Sequence, residues 1–214
     1  MYQIRILFFT FCLLSSLHLS AQQRTRLTLK TGLNLSWQSN SLNGYAVSPL
    51  ISTHLTALTE VQLAKRLFLQ PGMSLQGKGL KTMDSGTGES NGRVNMMYLE
   101  IPFNLLYKFT LPNLGRMNIG AGPYAALGLT GKERNGSPNV FRGIAGSDGF
   151  TNTDFGINLI AGKELSSRFT LSLQQSIGLD NVAPVGYMRP GPADQPYPAD
   201  VKNRVSSVSV GYRF

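Results

Sequence analysis

Apolar and polar residues alternate from Leu99 to Phe109, and this alternation constrains the fold more than any other feature of the sequence. Leucine, isoleucine, phenylalanine or tyrosine occupies every odd position, while Glu100, Asn104 and Lys108 stand at even ones. Successive side chains of a β-strand point to opposite faces, so a period of two places all the odd residues on one face. The segment is therefore predicted to be a strand with one apolar face.

The same period recurs in seven further segments, which are residues 27–37, 50–63, 67–75, 117–129, 155–161, 169–179 and 207–214. The segment at 50–63 is the least regular of them. Strands of about ten residues are the length that a tilted transmembrane strand needs. The chain is thus predicted to contain eight strands and to be all-β.

Long and short connections alternate between the predicted strands. The long ones lie near residues 38–49, 79–94, 131–153 and 180–203, and the short ones near 64–66, 110–116 and 164–168. In an up-and-down antiparallel barrel every second connection lies at the same end. Four long loops at one end and three tight turns at the other are typical of outer-membrane barrels, whose short turns are periplasmic.

The composition of the polar face distinguishes a membrane barrel from a soluble one. Charged residues make up only 14% of the chain, against about 25% in an ordinary soluble domain, which argues against a helical bundle, a coiled coil and a charge-driven disordered tail. A water-facing sheet surface usually carries many Lys and Glu residues. The polar face consists mainly of Gly, Ser, Thr, Asn and Gln, which fit the crowded interior of a narrow barrel. We therefore expect the apolar face to contact lipid. A soluble exported barrel that binds an apolar ligand is the alternative.

The first 21 residues have the layout of a secretory signal peptide, with Arg5, an apolar run at 6–14 and small residues before Ala21. Cleavage after Ala21 would leave a barrel domain of residues 22–214. The apolar run is shorter than the roughly 20 residues of a spanning helix, which disfavours an uncleaved anchor. Cleavage would also remove Cys12, the only cysteine, and with it any disulfide or Cys nucleophile.

Aromatic residues on the lipid-facing parity fall near the strand ends, where interfacial girdles form. With the first strand running outward from the periplasm, Trp37 and Phe155 lie at the extracellular end. The periplasmic girdle comprises Tyr107, Phe109, Phe169, Tyr212 and Phe214. Ordinary core packing in a soluble barrel is the alternative explanation for these aromatics.

Seven charged residues fall on the lumen parity, namely Lys30, Lys78, Glu100, Lys108, Asp154, Glu164 and Arg213. Strand order predicts that Lys78 and Glu100 are neighbours in the extracellular half, and closure predicts Arg213 beside Lys30 in the periplasmic half. Charges in a narrow interior are destabilising unless they are paired, so we expect a salt-bridge network that plugs the lumen. An eight-stranded barrel is barely wide enough for its own side chains, and a conducting pore is not expected.

The sequence offers little catalytic chemistry. His54 is the only histidine after residue 21, and we interpret it as a polar lumen residue. An outer-membrane lipid-modifying enzyme, with His54 as base and a serine as nucleophile, is the alternative. No nucleophile elbow, His-rich metal cluster or phosphate loop is found in the sequence, so no metal or cofactor is expected.

The long connections are the remaining candidates for a variable function. The last of them carries five prolines together with Tyr187 and Tyr197. Proline favours extended, pre-ordered segments, which could present these tyrosines to a protein partner. The net charge of +9 is dispersed along the chain without a basic run, so a nucleic-acid partner is not expected.

Five short motifs resemble those of the PorT-like outer-membrane β-barrel proteins of Bacteroidetes-type bacteria. They are Tyr98-Leu99-Glu100-Ile101-Pro102-Phe103, Gly120-Ala121-Gly122-Pro123-Tyr124, Asp154-Phe155-Gly156, Gly178-Leu179-Asp180-Asn181-Val182 and Val210-Gly211-Tyr212-Arg213-Phe214. The resemblance implies an outer-membrane location, and for PorT itself a role in protein secretion. It also implies that Val210, Tyr212 and Phe214 form the C-terminal signal read by the outer-membrane insertion machinery.

The sequence thus predicts an eight-stranded antiparallel up-and-down transmembrane β-barrel in the bacterial outer membrane. We expect a non-enzymatic protein with a structural or surface-interaction role, accessory to protein secretion if the PorT role applies. The expected partners are outer-membrane lipid, the insertion machinery during biogenesis and a protein at the extracellular loops.

Overall fold

The computed structural model describes residues 26–39, 45–84, 90–133, 140–141, 149–183, 188–189, 197–198 and 201–214. These residues form eleven strands, and none of them is helical. The strands are β1 Arg26–Gln38, β2 Tyr45–Ser48, β3 Leu50–Ala64, β4 Leu67–Asp84, β5 Ser90–Leu111, β6 Gly115–Glu133, β7 Thr153–Glu164, β8 Phe169–Gly178, β9 Met188–Arg189, β10 Tyr197–Pro198 and β11 Asn203–Arg213. No helix capable of crossing a bilayer occurs in this part of the chain. The predicted signal peptide lies outside it.

Antiparallel pairing closes the strands into a barrel. Each of β4, β3, β1, β11, β8, β7, β6 and β5 pairs with the next, and β5 returns to pair with β4. The short strand β2 also pairs with β4, in line with β3, so that β2 and β3 act as one barrel strand interrupted at Pro49. The predicted eight-stranded antiparallel up-and-down barrel is confirmed.

The chain ends hold the seam of the barrel together. β1 and β11 pair from Thr28 with Arg213 to Gln38 with Asn203. Beyond this ladder the Phe214 amide donates to the Leu27 carbonyl at 2.9 Å. The seam is therefore paired over the whole length of β1 that faces lipid, and no sheet edge is left open there.

Alternation of burial along each strand places the apolar side chains outside. In β5 the side chains of Ile101 and Phe103 are 43% and 51% exposed, whereas Glu100 and Asn104 are at most 2% exposed. The same alternation runs along β7, β8 and β11. The polar residues therefore enclose the lumen, and the leucine-rich face forms the outer wall.

At the loop end the pattern inverts. Leu80 and Met96 point inward and are at most 3% exposed, while Arg93, Asn95 and Lys132 on the outside are exposed. Apolar residues inside and polar residues outside are what a strand surrounded by water shows. The upper parts of β4, β5 and β6 therefore extend beyond the lipid-facing band.

The sequence-based boundary of the second long connection was wrong for this reason. Residues 79–94 were expected to be loop, but β4 continues to Asp84 and β5 begins at Ser90. In the lipid-facing part of each strand the apolar residues point outward. Where the strands leave the lipid, the apolar residues point inward instead. Both strands therefore continue beyond the point where their outward apolar alternation ends.

Tight turns join the strands at the opposite end. Only Lys65 and Arg66 separate β3 from β4, and residues 112–114 separate β5 from β6. Asn113 in the second turn and Gly115 at the start of β6 have φ values of 69° and 79°. Asparagine and glycine are the residues that adopt this left-handed conformation most readily.

Close strand approach requires glycine at inward positions of β1 and β6. A Cβ atom on Gly122 would clash with the Phe103 carbonyl oxygen, and one on Gly32 would clash with the Val208 carbonyl oxygen. The atoms in the way are backbone atoms of the neighbouring strand, which cannot move aside without disrupting the ladder. These glycines thus allow the sheet to bend into a narrow barrel.

Replacing Gly122 by alanine is expected to destabilise the barrel by about 1–3 kcal/mol, since the added methyl group overpacks the β5–β6 interface. The free energy of unfolding would be measured by urea titration in detergent micelles. Ala121→Val is the matched control, because it adds bulk on the exposed outer face one residue away. Equal stability of the Gly122→Ala protein and the wild type would contradict the packing argument.

Candidate functional site

The candidate functional site is the barrel interior, and its upper part contains a buried ion triad of Lys78, Glu100 and Asp154. Lys78 Nζ lies 3.2 Å from Glu100 Oε2 and 2.9 Å from Asp154 Oδ2. All three side chains are at most 1% exposed. The Lys78 ammonium also lies 5.0 Å from the ring centroid of Tyr98 and 4.6 Å from that of Tyr124. The cation is thus surrounded by two carboxylates and two aromatic faces.

Neutral side chains complete the surroundings of the buried triad. Asp154 Oδ2 accepts hydrogen bonds from the Tyr124 hydroxyl at 3.3 Å and from Asn203 Nδ2 at 3.0 Å. Asn158 Nδ2 donates to Glu100 Oε1 at 3.5 Å, and Asn158 Oδ1 accepts from Ser176 at 2.6 Å. Donors from β6, β7 and β11 therefore converge on two carboxylates of β5 and β7, and Ser176 of β8 holds one of these donors, Asn158, in place.

Asn34 is the centre of a second polar layer, halfway along the lumen. Its Nδ2 donates to Gln76 Oε1 at 2.8 Å and to the Gly77 carbonyl at 3.0 Å. Its Oδ1 accepts from Ser207 Oγ at 2.7 Å. The same oxygen lies 2.7 Å from His54 Nδ1, so that this ring nitrogen is the donor. A cavity of about 10 Å³ borders His54, which leaves room for one water molecule at most.

The third group of charges lies at the turn end of the lumen. Lys108 Nζ is 2.7 Å from Glu60 Oε2 and 3.4 Å from Glu164 Oε1. Glu164 also pairs with Arg213 Nη2 at 2.9 Å and with Arg116 Nε at 3.3 Å. We call these five residues the mouth cluster. It contains three cations and two carboxylates, so its own charges do not balance.

The predicted lumen charges separate into these two groups. Lys78, Glu100 and Asp154 form the buried triad, and Lys108, Glu164 and Arg213 belong to the mouth cluster. Lys30 points inward but has no salt bridge to any residue that the structure describes. It pairs in register with Gly211, whereas Arg213 pairs with Thr28.

Sequence reasoning missed Glu60, Arg116 and the two lumen tyrosines. Glu60 shares its parity with His54, and this signal was available in the sequence. It was obscured because Leu58, an apolar residue of the same parity, also points inward and is 3% exposed. Tyr98 and Tyr124 were missed because aromatic residues were expected only on the outside.

An apolar cap lies at the loop end above the triad. Phe141 is fully buried and meets Tyr98 edge to face, with ring centroids 5.3 Å apart. Gly128 makes room for it, since a Cβ there would lie 2.5 Å from the Phe141 ring. A second buried cluster contains Val182 and Val201, which are at most 1% exposed and are joined by a backbone hydrogen bond of 2.8 Å. We call Phe141, Val182 and Val201 the apolar cap.

The predicted interface aromatics lie on the outer wall. Tyr107 stacks on Phe109 at 6.0 Å, and Tyr212 meets Phe169 and Phe214 edge to face at 5.4 and 4.9 Å. Val210, in the predicted insertion signal, is 48% exposed. At the other end, Trp37 is the penultimate residue of β1 and Phe155 the third residue of β7.

Two arginines of the tight turns extend the girdle at the turn end. Arg66 Nη1 donates to the Tyr107 hydroxyl at 3.2 Å, and Arg168 Nη1 donates to the Tyr212 hydroxyl at 3.0 Å. Both hydroxyls are thereby held at the water-facing edge of the outer wall, as interfacial tyrosines require.

The described residues include no group of three or more His, Cys, Asp or Glu side chains that could hold a metal ion.

Comparison with known proteins identifies a family. The sequence profile of the family described as "Outer membrane protein beta-barrel domain" matches residues 16–183. No protein with a curated description matches the chain.

Several solved structures are similar to this chain at low identity. Neisserial surface protein A is 12% identical with a TM-score of 0.46, over 88% of this chain and 97% of that one. OprG from Pseudomonas aeruginosa is 12% identical with a TM-score of 0.42, over 88% and 95%. Ail of Yersinia pestis is 11% identical with a TM-score of 0.40, over 90% and 100%.

Replacing Lys78 by methionine is expected to lower the free energy of unfolding by about 3–5 kcal/mol, because two buried carboxylates lose their counter-ion. Urea unfolding in detergent micelles measures the effect. The control is Lys78→Met combined with Glu100→Gln and Asp154→Asn, which removes the charges together and should recover most of the loss. If Lys78→Met alone unfolds at the wild-type urea concentration, the triad does not hold the lumen together.

Proposed function

Because the chain belongs to the outer membrane protein β-barrel domain family, we propose that it is a non-conducting membrane scaffold whose long loops bind a partner protein at the cell surface. The family and the closed barrel place the protein in the bacterial outer membrane. The observation that carries the proposal is the filled lumen.

Four groups of side chains occupy successive levels of the lumen in the described barrel. The mouth cluster, the Asn34 layer, the buried triad and the apolar cap follow one another along the axis. A hydrated ion would have to displace salt bridges whose side chains are at most 1% exposed. This supports a function that does not depend on transport through the barrel.

The surroundings of His54 argue against a lipid-modifying enzyme. The ring is 6% exposed and lies inside the barrel, whereas acyl chains contact the outer wall. Its Nδ1 is bonded to Asn34, and the adjacent cavity of about 10 Å³ cannot admit a lipid. The non-enzymatic role is therefore the better proposal.

The last long connection is the favoured binding element. Within it β9 and β10 pair, with Tyr197 opposite Arg189. Asn181 Oδ1 accepts hydrogen bonds from the backbone amides of Ala183 and Val201, at 3.0 and 2.9 Å, and so joins the two ends of the connection. Because these hydrogen bonds fix the two ends of the connection, the ends lose little conformational entropy on binding. Tyr187, the other predicted contact residue, lies outside the described residues.

The resemblance to PorT-like barrels suggests a cellular process for the proposed surface role, namely protein secretion. We propose that the bound partner is a component of a protein secretion system, for which the barrel is an accessory. The resemblance alone supports this step.

Affinity capture tests the surface role. Residues 184–200 would be replaced by a Gly-Ser segment of equal length in tagged protein extracted from membranes with detergent. We expect one protein to co-purify with the wild type and to be lost with this variant, but not when residues 134–139 of the preceding long connection are replaced by a Gly-Ser segment. Failure of any protein to co-purify specifically would contradict the proposal.

Comparison of secreted proteins in a deletion strain tests the secretion role separately. The strain should lose specific secreted proteins, and the 184–200 replacement should fail to restore them while the 134–139 replacement succeeds. His54→Ala should restore secretion fully and leave the lipid composition unchanged. An altered lipid composition in the His54→Ala strain would favour the enzyme instead.

Planar bilayer recordings test whether the lumen is closed to ions. The reconstituted wild-type protein should give no steady single-channel current, since the buried triad and the apolar cap obstruct the lumen. A porin reconstituted in the same lipid is the positive control. Stable, reproducible conductance steps from the pure protein would contradict the filled lumen.

A further inference from the structure

A recess opens at the turn end of the barrel, opposite the long loops for which a surface role is proposed. It is lined by Arg26, Glu60, Gln62, Lys65, Phe68, Lys108 and Arg116 and has a volume of about 380 Å³. Sites for small ligands have volumes of about 300–1,000 Å³. Because the short turns of outer-membrane barrels are periplasmic, we call it the periplasmic recess.

The recess has an excess of positive charge. Four of its lining residues are cations, namely Arg26, Lys65, Lys108 and Arg116, and Glu60 is the one carboxylate. Glu60 is already paired with Lys108 at 2.7 Å. The nearest further acid, Glu164, is shared by Lys108, Arg116 and Arg213. The two acids are thus fully engaged by cations of the mouth cluster.

Arg26 and Lys65 have no salt-bridge partner among the described acidic residues. Both side chains are exposed, and neither makes a salt bridge to a residue in the ranges that the structure describes. They belong to β1 and to the β3–β4 turn, on one side of the recess, whereas Arg116 of β6 stands on the other. Arg116 is 59% exposed at its side chain, so its guanidinium has donors free for a ligand.

The chemistry of the cations indicates a carboxylate ligand. Guanidinium groups bind carboxylates through two parallel hydrogen bonds. The cations of the mouth already hold carboxylates at 2.7–3.4 Å. Phe68 adds an apolar wall, with Lys108 Nζ 4.6 Å from its ring centroid. The volume admits a short length of peptide chain but no folded domain.

We propose that the periplasmic recess binds an acidic peptide segment, whose carboxylates pair with Arg26, Lys65 and Arg116. The segment enters from the periplasm and ends at the mouth cluster. This site is independent of the loop-end partner, and its failure would leave that proposal unaffected.

Calorimetric titration of the full barrel in zwitterionic detergent micelles tests the site. The probe is N-acetylated tetraglutamate, and tetraglutamine is the neutral comparison. We expect binding of the first alone, weakened about tenfold or more in the Arg26→Gln/Lys65→Gln protein. The Arg93→Gln/Lys132→Gln protein is the matched control, because it loses the same charge from the exposed outer face at the loop end.

The remaining outcomes are equally decisive. Retained binding by an Arg26→Lys/Lys65→Arg protein would support the site, since the charges stay in place. Equal weakening in the loop-end control would show general attraction to a basic protein and overturn the proposal. Absence of tetraglutamate binding, or displacement of the peptide by equimolar inorganic phosphate, would overturn it as well.

Discussion

Backbone hydrogen bonding is the constraint on which the whole structure depends. In hydrocarbon an unpaired N–H or C=O group is destabilising by several kcal/mol, so that a spanning sheet has to close. Closure here joins β1 to β11 in an unbroken ladder from Thr28 to Gln38. It also forces half of the side chains into a narrow interior. The salt bridges, the Asn34 layer and the inward glycines all follow from filling that interior.

The same strands have one polarity pattern where they face lipid and the opposite pattern where they face water. Where the wall faces lipid, the apolar residues are outside, and this parity allowed all eight barrel strands to be predicted from the sequence. Beyond the lipid, Leu80 and Met96 turn inward and Arg93 outward. Sequence reasoning that assumed one environment per strand could not predict this part. Two environments on one strand therefore have to be expected in barrels of this kind.

The site could be predicted only in part, because parity determines which way a side chain points but not what it reaches. Lys78 and Glu100 were expected to be close because β4 and β5 are neighbours. Asp154 lies on β7, and its contact with Lys78 crosses the lumen between strands that do not pair. Lys30 shows the converse, since it points inward yet has no salt bridge within the described barrel. Barrel width and side-chain length, which the sequence pattern does not contain, decide both cases.

The two ends of the lumen carry opposite charge, and this determines how far an anion can enter. The buried triad holds two carboxylates against one ammonium. The mouth cluster and the periplasmic recess together hold Arg26, Lys65, Lys108, Arg116 and Arg213 against Glu60 and Glu164. An acidic segment is attracted by the mouth and repelled by the triad, and the interior between them is occupied by the Asn34 layer. The periplasmic recess is therefore an end point for such a ligand and not the entrance to a channel.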